Sequence, residues 1–237
     1  MKQLNKTILL LIINILLLLS FVYFKEKSLI ITTIVLLLTT IYLIKKYKFK
    51  KESFNKEKNY FYLVLASSLA FLILFYLISL KTGYSINYSV FYKNYLRKLT
   101  IILTIFIIVL TEIIRYIFIS SNKDKKEEII FFTIALIFLE LVITIRPETS
   151  YNFRIIFEMT SSMILPIIIK NASLSYLTYY AGMSSSLVYR LVIDLYKYVL
   201  PIFPALGDYF NSMILITLPI IIYVSTSSII EQYTNEP

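Results

Sequence analysis

The residues of this sequence whose types and positions could do chemistry are ionisable side chains set inside long apolar runs. Glu112 and Arg115 stand one turn apart in the run 99–119. Glu140 lies in the run 129–145. Arg154 and Glu158 form an i,i+4 pair early in 151–169, and Arg190 and Asp194 form another within 184–204. A charge at the centre of a membrane helix costs about 2.5–3.5 kcal/mol on insertion scales. Pairs one turn apart can neutralise each other, and bridges between helices can set a bundle's register, so structural pairing is the leading expectation. Glu140 has no opposite charge within a turn or so on its own helix. It must meet a partner on another helix, such as Arg154 or Arg190, or be protonated. A carboxyl in that setting could carry a proton or bind a substrate amine.

Other chemistry is excluded. The 237 residues contain no His and no Cys. Disulfides, thiolate or imidazole metal sites, His bases and Cys nucleophiles are therefore impossible. No P-loop, Rossmann fingerprint or Asp-rich metal motif is present, so neither cofactor nor metal is expected. Two fragments approach catalytic motifs and fail. Ser162-Met163-Ile164-Leu165-Pro166 is similar to the Ser-Met-x-Pro motif of signal peptidase I but is one residue too long. The nearby Lys170 also lacks the β-rich catalytic domain that such peptidases use. Glu127-Glu128 before an apolar run is similar to the intramembrane CAAX-protease motif, but the arginine and histidines that should follow are missing. The expectation is a chain with no catalytic residues.

The elements that carry these charges are membrane helices. Hydrophobic residues make up 58% of the chain, and the mean hydropathy is +0.76. Only lipid solvates so much apolar side chain. Runs at 7–24, 28–44, 60–80, 99–119, 129–145 and 151–169 each approach the ~20 residues that cross a bilayer. Without water the backbone must bond to itself, so these are helices. The run 209–228, which contains Pro219, is a further span. The fold expected is an all-α polytopic membrane bundle of about seven to eight transmembrane helices, a single domain over 1–237. The first run follows Lys2 and Lys6 like a signal peptide. No small-x-small cleavage site follows, so it reads as an uncleaved anchor.

The net charge is +10. The lysines sit between apolar runs, so they read as topology signals and phospholipid contacts rather than a nucleic-acid surface. Segment 45–58, with Lys45, Lys46, Lys48, Lys50, Lys51, Lys56 and Lys58 against Glu52 and Glu57, belongs in the cytoplasm. The N-terminus then lies inside, as does 120–128, with Lys123, Lys125 and Lys126. Segment 81–98 falls outside despite Lys81, Lys93, Arg97 and Lys98. Its Tyr84, Tyr88, Tyr92 and Tyr95 share one helical face, which predicts a short helix lying on the outer interface.

The last third differs in texture. Gly182 and Gly207 bracket 184–204. There Ser184–Ser186 can cap a helix start, and Pro201 and Pro204 end it. Arg190, Asp194 and Lys197 share one face, while Leu187, Leu191, Leu195 and Val199 share another. If this helix crosses, there are eight spans and a cytoplasmic C-terminus. If it lies in the interface, there are seven and the tail is outside. The first alternative is favoured.

The run from Tyr189 through Arg190 and Asp194 to Tyr198, followed by Pro201-Ile202-Phe203-Pro204, together with Glu112-Ile113-Ile114-Arg115-Tyr116, resembles the multi-span N-terminal module of signal-peptidase-I-like proteins of low-GC bacteria. There the module precedes a serine–lysine peptidase domain. No such domain follows within these residues. The resemblance therefore implies a non-enzymatic module in the cell membrane, accessory to protein export or precursor processing beside a peptidase or export component. It also implies that Glu112, Arg115, Tyr189 and Arg190 are characteristic positions. The alternative reading is a transporter or substrate-binding component built around Glu140 and the Gly182 and Pro201 interruptions. A membrane enzyme using carboxylates and arginines ranks third. The candidate polar cluster is Glu112, Arg115, Glu140, Arg154, Glu158, Tyr189, Arg190 and Asp194.

Overall fold

A computed structural model describes Ile13 and residues 28–47, 54–86, 95–144 and 152–235. In chain order these form α1 (Ser28–Tyr47), α2 (Phe54–Thr82), β1 (Tyr84–Ile86), α3 (Tyr95–Ser121), α4 (Lys126–Thr144), α5 (Phe153–Met159), a π-turn (Thr160–Ile164), α6 (Leu165–Val199), β2 (Ile202–Pro204) and α7 (Asp208–Asn235). The architecture is all-α apart from the short ribbon. Among the described residues, four stretches are long and apolar enough to cross a membrane: Leu29–Tyr47, Asn59–Thr82, Leu99–Ser121 and Ile155–Tyr196. α7 adds the shorter apolar stretch Ser212–Ser228. The expected run 7–24 lies outside the described residues except for Ile13, which packs on the core of α1, α3 and α4.

These helices tolerate their many hydroxyls because each can bond backward. Thr40, Thr111, Thr178 and Thr226 donate to the carbonyls of Leu36, Ile107, Leu174 and Ile222, which pairs these buried donors in an apolar setting. The outside of the bundle is apolar. Leu38, Ile73, Leu80, Ile130 and Met213 are all more than half exposed.

The stretch Ile155–Tyr196 is not straight. Gly182 has φ 82° and ψ −179°. Lys170 Nζ lies 3.0 Å from Asp194 Oδ1, whereas in a straight helix these positions would be about 36 Å apart. The chain therefore reverses at Gly182, and α6 is a hairpin whose two arms, 165–181 and 183–199, run antiparallel. A residue with a Cβ is strongly disfavoured at that φ and ψ. The serines after it, expected to cap a new helix, instead donate backward: Ser185 to Ala181 O and Ser186 to Met183 O.

Upstream, the Leu165 N–H reaches back to Thr160 O. This i→i−5 turn comes just before Pro166, which lacks an N–H and crowds the carbonyl of a regular helix. The Ser162–Pro166 fragment is thus a helical adjustment to a proline.

The structure corrects the expectation for Tyr84. It lies in a strand, not on an interfacial helix. β1 pairs antiparallel with β2, with Tyr84 opposite Pro204 and Ile86 opposite Ile202. Pro201 and Pro204 deny a helix here, and strand pairing satisfies the main chain instead. The Tyr84 hydroxyl donates to Tyr76 O at 2.7 Å, and the Tyr76 hydroxyl donates to Ile202 O at 2.7 Å. Tyr95 opens α3, and Tyr88 and Tyr92 lie outside the described residues.

The ribbon marks one end of the bundle. The α3–α4 turn marks the other, where the Tyr179 hydroxyl donates to Lys123 O and Lys123 Nζ sits 5.7 Å from the Tyr179 ring. The second arm of α6 climbs from the Lys123 end to the ribbon. One apolar cluster joins α1, α3 and α4, with Phe118 and Phe132 stacked at 4.1 Å. A second joins α2, both arms of α6 and α7 around Val64, Leu174, Tyr189 and Leu218.

Gly182→Ala should lower stability by about 1–3 kcal/mol, read as a lower unfolding temperature in detergent. Gly207→Ala, whose added Cβ meets open space, should leave that temperature unchanged.

Candidate functional site: a buried charge network

The second arm of α6 is turned with its polar face inward. Ser185, Ser186, Tyr189, Arg190 and Ile193 are buried, whereas Leu187, Leu191 and Leu195 are only half-buried and Val199 is exposed. The inward face carries Arg190 into the bundle. Its guanidinium fork meets carboxylates from three directions. Nη1 lies 3.0 Å from Glu112 Oε1 on α3, Nη2 lies 3.7 Å from Glu140 Oε2 on α4, and Nε lies 3.1 Å from Asp194 Oδ2 on its own arm.

The network then closes on itself. Lys170, on the first arm, bridges Glu140 Oε1 and Asp194, whose two carboxylate oxygens lie 3.0 and 3.3 Å from its ammonium. Arg115 Nε faces Glu112 Oε2 at 3.2 Å. Its Nη1 donates to Asn171 O at 3.0 Å and to Ser175 Oγ at 2.9 Å, and its Nη2 donates to Asn171 Oδ1 at 2.8 Å. The Asn171 amide donates to Glu140 Oε2 at 2.8 Å and to Ile167 O. Thr133 on α4 donates to Ser175 Oγ. The carboxylates Glu112, Glu140 and Asp194 thus face the cations Arg115, Lys170 and Arg190, and the formal charges sum to zero.

Five expected residues, Glu112, Arg115, Glu140, Arg190 and Asp194, come together. Tyr189 is buried beside them in the second apolar cluster. Glu158 is carried by α5, about 18 Å along the helix from Lys170, and its carbonyl accepts from Ser161 and Ser162. Arg154 lies in the same helix, but its side chain is outside the described part of the chain. Of the partners expected for Glu140, Arg190 is present, and Lys170 and Asn171 join it.

Lys170, Asn171, Ser175 and Thr133 escaped the sequence reading. Lys170 and Asn171 follow the apolar run ending at 169 and read as its polar border. The hairpin turns that border into an interior. A usable signal was present: Lys170, Asn171 and Ser175 share one helical face, and apolar segments resume beyond them.

The arrangement is suited to locking helices. Among the described residues, no group of three His, Cys, Asp or Glu side chains could hold a metal ion. Each carboxylate is engaged by a cation from another helix or from the other arm of α6. The chain matches no family model, and no curated protein or solved structure matches it.

Removing Arg190 would leave three carboxylates short of their shared partner. Arg190→Gln should cost about 3–5 kcal/mol, as expected for breaking a buried pair. Arg190→Lys should recover only part of this, since an ammonium cannot reproduce the planar fork. Thermal unfolding in mild detergent, followed by size-exclusion chromatography, reads both.

Proposed function

We propose that the chain is a non-enzymatic multi-pass membrane protein that acts as an accessory module in protein export or precursor processing, beside a signal-peptidase-like partner. The observation that carries this reading is the self-neutralising network joining α3, α4 and both arms of α6. A polar interior in which carboxylates and cations satisfy one another sets helix register. The complete absence of His and Cys from the sequence points the same way. Of the positions behind the resemblance to signal-peptidase-I-like modules, Glu112, Arg115 and Arg190 meet in the network, and Tyr189 packs beside it.

The apolar exterior and polar interior suit a bilayer. On this reading each arm of the α6 hairpin crosses the membrane separately, as do α1, α2, α3, α4 and α7. The run 7–24 adds a further crossing. Both termini are then cytoplasmic, the Lys-rich segments 45–58 and 120–128 are inside, and the ribbon faces outward.

A transporter reading draws on the helix reversal at Gly182, since broken helices frame many transport sites. It requires Glu140 to be released from Lys170, Arg190 and Asn171 during a cycle.

Purification in mild detergent should bring down an extracytoplasmic peptidase or export component with the chain. Recovery of a monodisperse chain alone would contradict the accessory role. A C-terminal reporter should be active only in its cytoplasmic form.

A further inference from the structure

The network is sealed on one side and open on the other. The Glu112 and Arg115 side chains are 0% exposed and Arg190 is 6% exposed, whereas Lys170 and Glu140 are each 14% exposed and Asp194 is 18% exposed. The open residues all lie toward the ribbon. Asp194 is one turn beyond Arg190 on the arm that ends in β2. Glu140 is one turn from Thr144, at the end of α4 away from Lys126. Lys170 lies on the π-turn side of Asn171. The sealed layer, Arg115 with Asn171 and Ser175, lies toward the Lys123 end.

In a membrane this edge must face either lipid or water. Charges facing hydrocarbon at mid-depth would cost several kcal/mol, and such residues line protein interiors or water-filled cavities instead. Above the edge, three polar residues stand among apolar neighbours. Thr144 follows Glu140 on the same face of α4 and is exposed. The half-buried Tyr198 follows Asp194, and the half-buried Ser162 stands two turns above Lys170 on roughly the same face.

We infer that these side chains line an aqueous vestibule that opens at the ribbon end and is floored by the charge network, so that water and small hydrophilic solutes reach the network from one side of the membrane only. The inference rests on the membrane placement proposed above. It makes the Lys170–Glu140–Asp194 edge the addressable part of the lock and leaves Glu112 and Arg115 inaccessible.

The sequence contains no Cys, so a single introduced thiol reports on its own surroundings. Ser162→Cys, Thr144→Cys and Thr178→Cys variants would be treated with a charged, membrane-impermeant methanethiosulfonate in right-side-out and inside-out vesicles. Thr178 is 2% exposed and lies toward the Lys123 end. Ser162→Cys and Thr144→Cys should react from the same single face, and Thr178→Cys from neither. All three should react fully after denaturation. Reaction of Ser162→Cys only with an uncharged, lipid-soluble maleimide would overturn the inference, because the edge would then face lipid. So would reaction of Thr178→Cys at the rate of Ser162→Cys. If Ser162→Cys does not fold, a Thr144→Cys variant reactive from both faces or from neither overturns it equally. Chain recovered outside the membrane fraction would overturn the membrane placement and the vestibule together. Failure of labelling in membrane-bound chain removes the vestibule alone.

Discussion

A guanidinium buried in an apolar core is the constraint on which the rest of this structure depends. Arginine keeps its proton, so Arg190 cannot escape burial by neutralising itself. It must be met by anions, and Glu112, Glu140 and Asp194 supply them. Three carboxylates around one cation would be as costly as the cation alone. Lys170 and Arg115 restore the balance, and Asn171 links Arg115 to Glu140 with one amide. Each requirement places a residue on a particular helix at a particular height. Lys170 can face Asp194 only if the chain reverses between them, and Gly182 supplies the backbone for that reversal.

The network and the apolar clusters do different work. Replacing a buried ion network with well-packed apolar side chains is often neutral or stabilising, whereas removing one member is costly. The net stabilisation of the fold therefore comes mainly from packing around Phe118, Phe132, Val64 and Leu174. In lipid, apolar contact barely distinguishes one helix pairing from another, because the tails are as apolar as leucine. Charges that must find one another provide that distinction. A bundle slid by one turn along any of these helices would keep much of its apolar contact and strand its ions.

Much of this was legible in the sequence, for reasons that differ from residue to residue. Helices α1 to α4 were readable because an apolar run of membrane length has few alternatives to a helix. The charges were readable because an ionisable group in such a run is conspicuous. The partners of Glu140 were less so. A search along its own helix finds no cation, and contacts between helices depend on the hairpin, which one glycine controls. Gly182 was visible as a boundary but not as a reversal that lines up two arms. Lys170 was hidden by its position at the edge of an apolar run, where lysines ordinarily meet headgroups. Tyr84 misled because tyrosines spaced at three and four residues suit a helix. Its actual conformation is set by a strand more than a hundred residues later in the chain. Local pattern carries no information about such a partner.

The most direct test of the lock is the coupling between Glu112 and Arg190, which lie on different helices and far apart in sequence. Stability would be measured for the parent chain, Glu112→Gln, Arg190→Gln and the double variant by unfolding in graded sodium dodecyl sulfate. If the two act as parts of one buried network, the double variant should lose less stability than the single losses added together, with a coupling of roughly 1–3 kcal/mol. Strictly additive losses, with coupling within about 0.3 kcal/mol of zero, would contradict a network that holds these helices in register.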